Sequence, residues 1–383
     1  MAVKGPLTGI TVVDLSRILA GPYCTFLMAE LGARIIKVEM PPKGDDAREY
    51  GPFRGGKSTY FSSINRGKQS IMLDLKLPAD KRILDALLAK ADVLVENFRP
   101  GTMERLGYGW SEIHQRYPKL IYAAASGFGH SGPWSKRPAY DMVVQGLGGM
   151  MSITGNPGQP PVRVGMSIGD IGAGLYTAVA VNAALVQRER TGEGVKVDVS
   201  MFDCQLALLE NAIMRYTVTG EIPGPLGARH PTITPFEAFA TADGYVIIAA
   251  GNDLTFGRLA AALGKPAMAE NPDYVSNERR LANQPTLKAE IEALLKDKPT
   301  AHWLTVFETV GIPAGPINDV KQALAHPQVE PRNMLVTVDD PRSGTLKLVG
   351  NPMKISGAAD PPMREPAPEL DADRAAILKE LRL

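Results

Sequence analysis

One carboxylate in this chain stands where a reactive carboxylate would be useful. Asp170 lies in Val164-Gly165-Met166-Ser167-Ile168-Gly169-Asp170-Ile171-Gly172-Ala173-Gly174, just ahead of the apolar run from Leu175 to Val186. Apolar and small residues surround the helix expected here on every side, the pattern of a helix packed all round. The glycines let other groups approach the carboxylate closely. Two roles fit. The Asp can be an N-cap that accepts the first free amides of the helix. The same amides and the positive helix end would keep a poorly solvated carboxylate ionised, and an ionised Asp can attack an activated acyl carbon. Capping and attack are compatible, so the local pattern leaves both open.

A second group of residues suits a phosphorylated ligand. In Glu96-Asn97-Phe98-Arg99-Pro100-Gly101-Thr102-Met103-Glu104-Arg105, Arg99 follows directly on a strand and Arg105 lies about a helical turn further on. Ligands of open α/β sheets bind outside the carboxyl ends of the strands, and two guanidiniums there can each hold a phosphate bidentately. Solvated surface arginines are the alternative. The same two readings apply to Asn65-Arg66-Gly67-Lys68 and to Lys76.

Other chemistries find less support. The five histidines, His114, His130, His230, His302 and His326, are scattered, and none is paired with Cys, Asp or Glu at metal-ligand spacing, so no metal is expected. There is no nucleophile elbow of the serine-hydrolase type. Gly127-Phe128-Gly129-His130-Ser131-Gly132 spells a dinucleotide fingerprint, but Pro133 and Pro138 follow where its helix should open. Glu39 sits where a ribose-binding acid would, yet the turn Ser16–Gly21 lacks the glycines.

Composition narrows the class further. The 383 residues are 44% hydrophobic and 22% charged with a net charge of +1 and no block of like charges, as in an ordinary globular protein without a nucleic-acid partner. Cys24 and Cys204 are too few for a disulfide framework and fit a reducing cytoplasm. No signal core is apparent, and Asp170 and Asn182 interrupt the longest apolar stretch, so no membrane association is expected.

The elements that must position these residues read as an α/β chain. Strands are expected at Ile10–Leu15, Arg34–Glu39, Ser70–Leu75, Asp92–Glu96, Leu120–Ala124 and Val195–Val199, with helices from Pro22 to Leu31 and near Ala79–Lys90. Alternation of strand and helix implies a mostly parallel sheet covered on both faces. A Pro/Gly linker at Gly220–Gly227 separates a first domain, 1–220, from a smaller α+β domain, 225–325. The smaller domain carries a strand at Tyr245–Ala250 and helices near Leu254–Leu263, Leu287–Leu295 and Ala301–Val310. A C-terminal segment, 330–383, is read as returning to the first domain.

In order and spacing, these residues resemble the class III CoA-transferases, the family of formyl-CoA and crotonobetainyl-CoA transferases, and their relatives the α-methylacyl-CoA racemases. The match runs through Asp14-Leu15-Ser16-Arg17, Ala20-Gly21-Pro22, Lys37-Val38-Glu39, Asn65–Lys68, Leu73–Lys76 and Glu96–Gly101. It continues through Ser126–Gly129, the Asp170 helix, Thr191–Gly194 and Gly311–Pro316. The resemblance implies a Rossmann-like large domain with a smaller α+β domain, in a homodimer whose subunits interlock. It implies coenzyme A or acyl-CoA as substrate, no tightly bound cofactor, and a small carboxylic acid as the other partner. It places the catalytic carboxylate on Asp170, and CoA contacts on Leu73, Asp74, Leu75, Lys76, Asn97, Phe98, Arg99, Arg105 and Tyr140.

The racemases carry a His-Asp pair where this chain has Tyr140-Asp141. A tyrosine, whose ordinary pKa is near 10, is a poor base at neutral pH, so transfer is expected over racemisation or simple CoA binding. Leu19 stands where formyl-CoA transferases have glutamine, and Gly227-Ala228-Arg229-His230-Pro231-Thr232 replaces their glycine run, which argues against formate/oxalate exchange. The loop, with Ala249–Asn252, is closer to the succinyl-CoA:glutarate branch. Arg229 or His230 would then hold the far carboxylate of a dicarboxylic acid such as succinate or glutarate.

Overall fold

The structure, a computed structural model, describes residues 4–383. The chain forms two compact units. The larger holds residues up to Met151, Arg163–Glu221 and Pro327–Leu383; the smaller holds Ser152–Val162 and Ile222–His326. Residues 152–162 thus leave the stretch read from sequence as the first domain. They are tied to the smaller unit by Gly227, whose N–H donates to Gly155 O at 2.8 Å.

Six strands build the larger unit's sheet: β1 (Thr11–Asp14), β2 (Arg34–Glu39), β3 (Gln69–Met72), β4 (Val93–Glu96), β5 (Ile121–Ser126) and β6 (Lys196–Ser200). All neighbours are parallel, in the spatial order 3-2-1-4-5-6. That is the doubly wound order, whose direction reverses between β1 and β4. Alternate residues face opposite layers, so each strand feeds two cores. Val13, Ile36, Leu94 and Tyr122 pack on one face, with Leu84 and Leu87. Val12, Ile35, Val93 and Ile121 pack on the other, with Met28 and Val181.

Five helices of this unit matter to the site: α1 (Ala20–Glu30), α2 (Pro78–Leu88), α3 (Asp141–Leu147), α4 (Ile168–Thr191) and α5 (Met201–Leu208). Helices α1 and α4 pack closely because α4 is bare where they meet. A Cβ on Gly174 would lie 2.7 Å from Ala20 O. The sequence suggested that α4 is packed all round; instead it buries one side and leaves Leu175, Tyr176, Val179 and Val186 exposed. By length and mean hydropathy α4 is also apolar enough to cross a membrane, against the sequence expectation, but half of that stretch is buried in the fold like a core helix.

In the smaller unit, β7 (Phe236–Ala240), β8 (Tyr245–Ala249) and β9 (Ala314–Pro316) form an antiparallel sheet. Helices α6 (Asp253–Ala262), α7 (Gln284–Leu295) and α8 (Thr300–Thr309) cover it. Phe239, Ile248, Leu259, Ile291 and Phe307 are its core. The C-terminal segment forms the hairpin β10 (Leu335–Asp340) and β11 (Gly344–Val349), then α9 (Arg374–Leu381). It joins the open edge of the large sheet. Asp373 accepts the Ser70 amide at 2.8 Å and Asp371 the Met72 amide at 2.7 Å, so two carboxylates pair the free side of β3.

Candidate active site

At the reversal point, the loops leaving β1 and β4 are bonded to each other. Asn97 Oδ1 accepts the Arg17 amide and Asn97 Nδ2 donates to Arg17 O, both at 2.8 Å. The β1 loop is held from every side. Asp45 accepts the Ile18 amide at 2.9 Å, and Lys37 Nζ donates to Ser16 O at 2.8 Å. Ile18 adopts φ +68, a conformation a β-branched residue takes only when its surroundings impose it. Beneath lies Asp14, fully buried. Burial alone would raise its pKa, but Lys68, Lys37 and the hydroxyls of Ser16 and Thr25 hold it down at about 2.

Three cavities open along these loops. The first, about 280 Å³, is an apolar slot bordered by Leu15, Val38, Leu73, Leu75 and Leu106, with Asp74 and Lys76 at its rim. The second, about 680 Å³, gathers Asn97, Arg99, Arg105, Lys136 and Tyr140. The third, about 130 Å³, has Asp170 in its wall together with Ala20, Ser126, Arg137 and Met201. Arg17 and Phe98 border all three, so the slot, the basic stretch and the carboxylate form one continuous groove. Every residue expected to contact CoA lines it. The side-chain amide of Asn97, however, is committed to Arg17, so its role is to fix the loop. Sequence reasoning singled out neither Arg17 as a wall residue nor Lys136 and Arg137, whose charge lies in a stretch that reads as an unremarkable loop.

Asp170 itself is not the N-cap. Ser167 holds that position without a side-chain bond, and Asp170 lies in the first turn of α4. The amide that a cap would accept, Gly169 N–H, donates to Asp141 Oδ1 at 2.8 Å. No hydrogen bond to the Asp170 carboxylate is found among the described residues. Burial, and then the like charge of Asp141, raise its pKa to about 7. The sequence expectation of a carboxylate kept ionised by helix amides is therefore corrected: the Gly169 amide is spent on Asp141. Uncompensated, an acyl-accepting oxygen at this site keeps high basicity.

Other sequence candidates fall elsewhere. Arg66 is buried, ion-paired with Glu30 at 3.0 Å and bonded to Val349 O at 2.7 Å. Lys68 is buried against Asp14 at 3.2 Å and Asn65 Oδ1 at 2.8 Å. Charges taken out of water must be paired, so neither is free for a phosphate. Glu39 is likewise occupied, accepting Arg48 at 2.7 and 2.8 Å and Ser70 Oγ at 2.6 Å. No helix follows Gly127–Gly132 before Asp141, which removes the dinucleotide fingerprint. Gly148 N–H bonds Val144 O at 2.8 Å and so is not free to donate to an oxyanion. In the smaller unit, Arg229 donates to Gln284 Oε1 at 3.4 Å. His230 stacks on Phe236 at 5.3 Å, and its Nδ1 accepts the amides of Thr232 at 3.2 Å and Ile233 at 3.1 Å.

One buried group below the groove also titrates near neutrality. Glu96, at the end of β4, accepts the Phe98 amide at 2.7 Å and the Tyr122 hydroxyl at 3.0 Å. Burial raises its pKa to about 7 in spite of those two bonds.

The sequence profile of CoA-transferase family III matches residues 7–374. The chain belongs to that family. It is a CoA-transferase, whose substrates are CoA thioesters and carboxylic acids. It is 47% identical to an acetyl-CoA:oxalate CoA-transferase of Acetobacter aceti, over 98% of this chain and 96% of that one. It is 38% identical to a succinate–glutarate CoA-transferase of Agrobacterium fabrum, over 99% and 96%. A crystal structure of a CAIB/BAIF family protein from Brucella suis has 38% identity and a TM-score of 0.86, covering 99% of this chain and 100% of that one. No histidine borders the three cavities, so this CoA-transferase lacks there the imidazole that proton exchange on an α-carbon would use.

Proposed function

We propose that this CoA-transferase works through Asp170 as nucleophile, with an aspartyl-CoA thioester as intermediate and a dicarboxylate as acceptor. The observation that carries the reading is a carboxylate, with no hydrogen bond among the described residues, in the wall of a groove that also holds an apolar slot and a basic stretch. The slot between Leu73, Leu75, Val38 and Leu106 suits the adenine ring, and Lys76, Arg99, Arg105 and Lys136 suit the phosphates. The pantetheine arm would then run past Phe98 and Tyr140 toward Asp170.

The Asp170 carboxylate attacks the thioester carbonyl, forming a mixed anhydride and releasing CoA thiolate. The thiolate attacks the aspartyl carbonyl of the anhydride, leaving the aspartyl-CoA thioester and the donor acid. The acceptor carboxylate attacks that thioester in turn, and the returning thiolate takes the acceptor's acyl group and frees Asp170. Each tetrahedral oxyanion needs aligned amides. Ala20 and Gly21 open α1, where first-turn amides have no intrahelical acceptor, and Ala20 is in the wall beside Asp170.

The acceptor class is supported by the dicarboxylates, oxalate and glutarate, in the names of the two relatives. The first of these returns oxalate to the set of acids to be tried, beside succinate and glutarate. An interlocked homodimer is supported by the exposed apolar side chains of α4 and by Met214, Tyr216 and Val218 on the helix Asn211–Thr219, a patch that water does not favour. Two buried, unpaired cysteines support a cytoplasmic setting.

The deciding experiment is incubation with acetyl-CoA or succinyl-CoA and hydroxylamine, followed by peptide mass mapping. A hydroxamate on Asp170 is expected. Its absence with both donors while transfer proceeds would overturn the covalent mechanism.

A further inference from the structure

Helix α4 borrows its cap from another helix. Asp141, at the start of α3 and 28 residues earlier in the chain, accepts the Gly169 amide on Oδ1 at 2.8 Å. Its other oxygen accepts Gln145 Nε2 at 2.8 Å. Gln145 Oε1 in turn accepts the Val164 amide at 2.9 Å. Both side chains are buried, Gln145 completely. The contact is tight: a Cβ on Gly169 would lie 2.7 Å from Val144 Cγ2 and 3.0 Å from Asp141 Oδ1. Together these bonds tie α3 to both ends of the segment 164–169 that delivers Asp170.

The choice of group calls for an explanation. A neutral hydroxyl caps a helix well, and Ser167 stands at the N-cap with a hydroxyl that caps nothing. Using a buried carboxylate instead places a second negative charge beside Asp170, which costs stability. A group that only closed the helix would not need that charge.

We propose that Asp141 is a positioning residue for transfer: its carboxylate takes the cap position of α4 and aims the Asp170 carboxylate into the groove. This rests on the reading of Asp170 as nucleophile. The charge of Asp141 acts in the same direction, since it adds to burial in keeping Asp170 basic. The other charged or titratable groups on this cavity are Arg17, Arg99, Arg137 and Tyr140, and Tyr60 is coupled electrostatically to both carboxylates. All five are unchanged in the variants below.

The test uses Asp141→Ala and Asp141→Asn in the full-length enzyme, with acetyl-CoA or succinyl-CoA as donor and oxalate as acceptor. For Asp141→Ala, KM for the donor should stay within about twofold because the groove is intact, while kcat falls on the order of 10- to 100-fold from misaligned attack. Asp141→Asn keeps an oxygen for the Gly169 amide, so it should recover most of that loss. Its kcat/KM should also fall off at a lower pH than wild type, because the neighbouring charge is gone. An alanine variant with kcat within twofold of wild type overturns the proposal. So does an asparagine variant as slow as alanine with its acid limb unmoved. If the alanine variant does not fold, the rate and acid limb of Asp141→Asn decide alone. Failure of the Asp170 reading is separable, since Asp170→Ala would then keep transferring CoA whatever Asp141 does.

Discussion

Removing the charge of Asp170 should make the protein more stable, by an amount that depends on pH. The carboxyl titrates at about 7 in the fold against an ordinary 3.8, so the unfolded chain loses its proton first. Below 3.8 both states are protonated and no penalty exists. Between 3.8 and 7 the penalty grows, and above 7 it is complete. At about 1.4 kcal/mol per pH unit between the two values, its ceiling is about 4 kcal/mol; water in the groove lowers that figure. Asp170→Asn has no proton to lose, so its stability advantage should widen by about 2–3 kcal/mol from pH 5 to pH 8. Denaturant unfolding of both proteins at equal concentration measures this. Asp14 and Glu96 are present in both proteins, so their titration largely cancels in the difference. The same variant should be inactive in transfer. A difference that stays flat between pH 5 and pH 8 would refute the claim that burial and Asp141 strain this carboxylate, whatever happens to activity.

Three further outcomes follow from the geometry. With the nucleophile titrating at about 7, kcat/KM should rise roughly tenfold from pH 6 to pH 8; Glu96→Gln should leave that limb in place, and a limb that vanished would reassign it to Glu96. Arg99→Ala and Arg105→Ala should each raise KM for acyl-CoA by about tenfold with kcat nearly unchanged, as loss of a phosphate contact does; steady-state kinetics with a shortened pantetheine thioester, which should not respond, provides the control. Gly174→Val would drive a side chain to within 2.7 Å of Ala20 O and should cost about 1–3 kcal/mol or more by forcing α1 from α4, read as a lowered Tm. An unchanged Tm would show that this helix contact is loose.

Much of the scaffold was legible because local rules and tertiary context agreed. The strand Arg34–Glu39 has the same bounds in both readings, and the other sheet strands differ by a few residues. Their apolar runs are long enough to be buried on both faces, which only a central parallel sheet provides. Short elements escaped. Helix α3 is seven residues long, in a stretch where no element was expected, and β9 is three residues long, too short to carry a period.

The candidate site divided along the same line. Residue type and spacing determined that Asp170 opens the long helix and that Phe98, Arg99 and Arg105 follow a strand end, since these depend on neighbours in sequence. Which charges are available was decided by tertiary structure alone. Arg66 and Lys68 look like phosphate ligands as isolated residues, and become paired core groups once Glu30 and Asp14 are folded against them. Asp170 looks like a helix cap, and becomes a carboxylate without a hydrogen bond among the described residues, while Asp141 takes the amide. Burial and pairing depend on partners far away along the chain, and a local pattern carries no record of them.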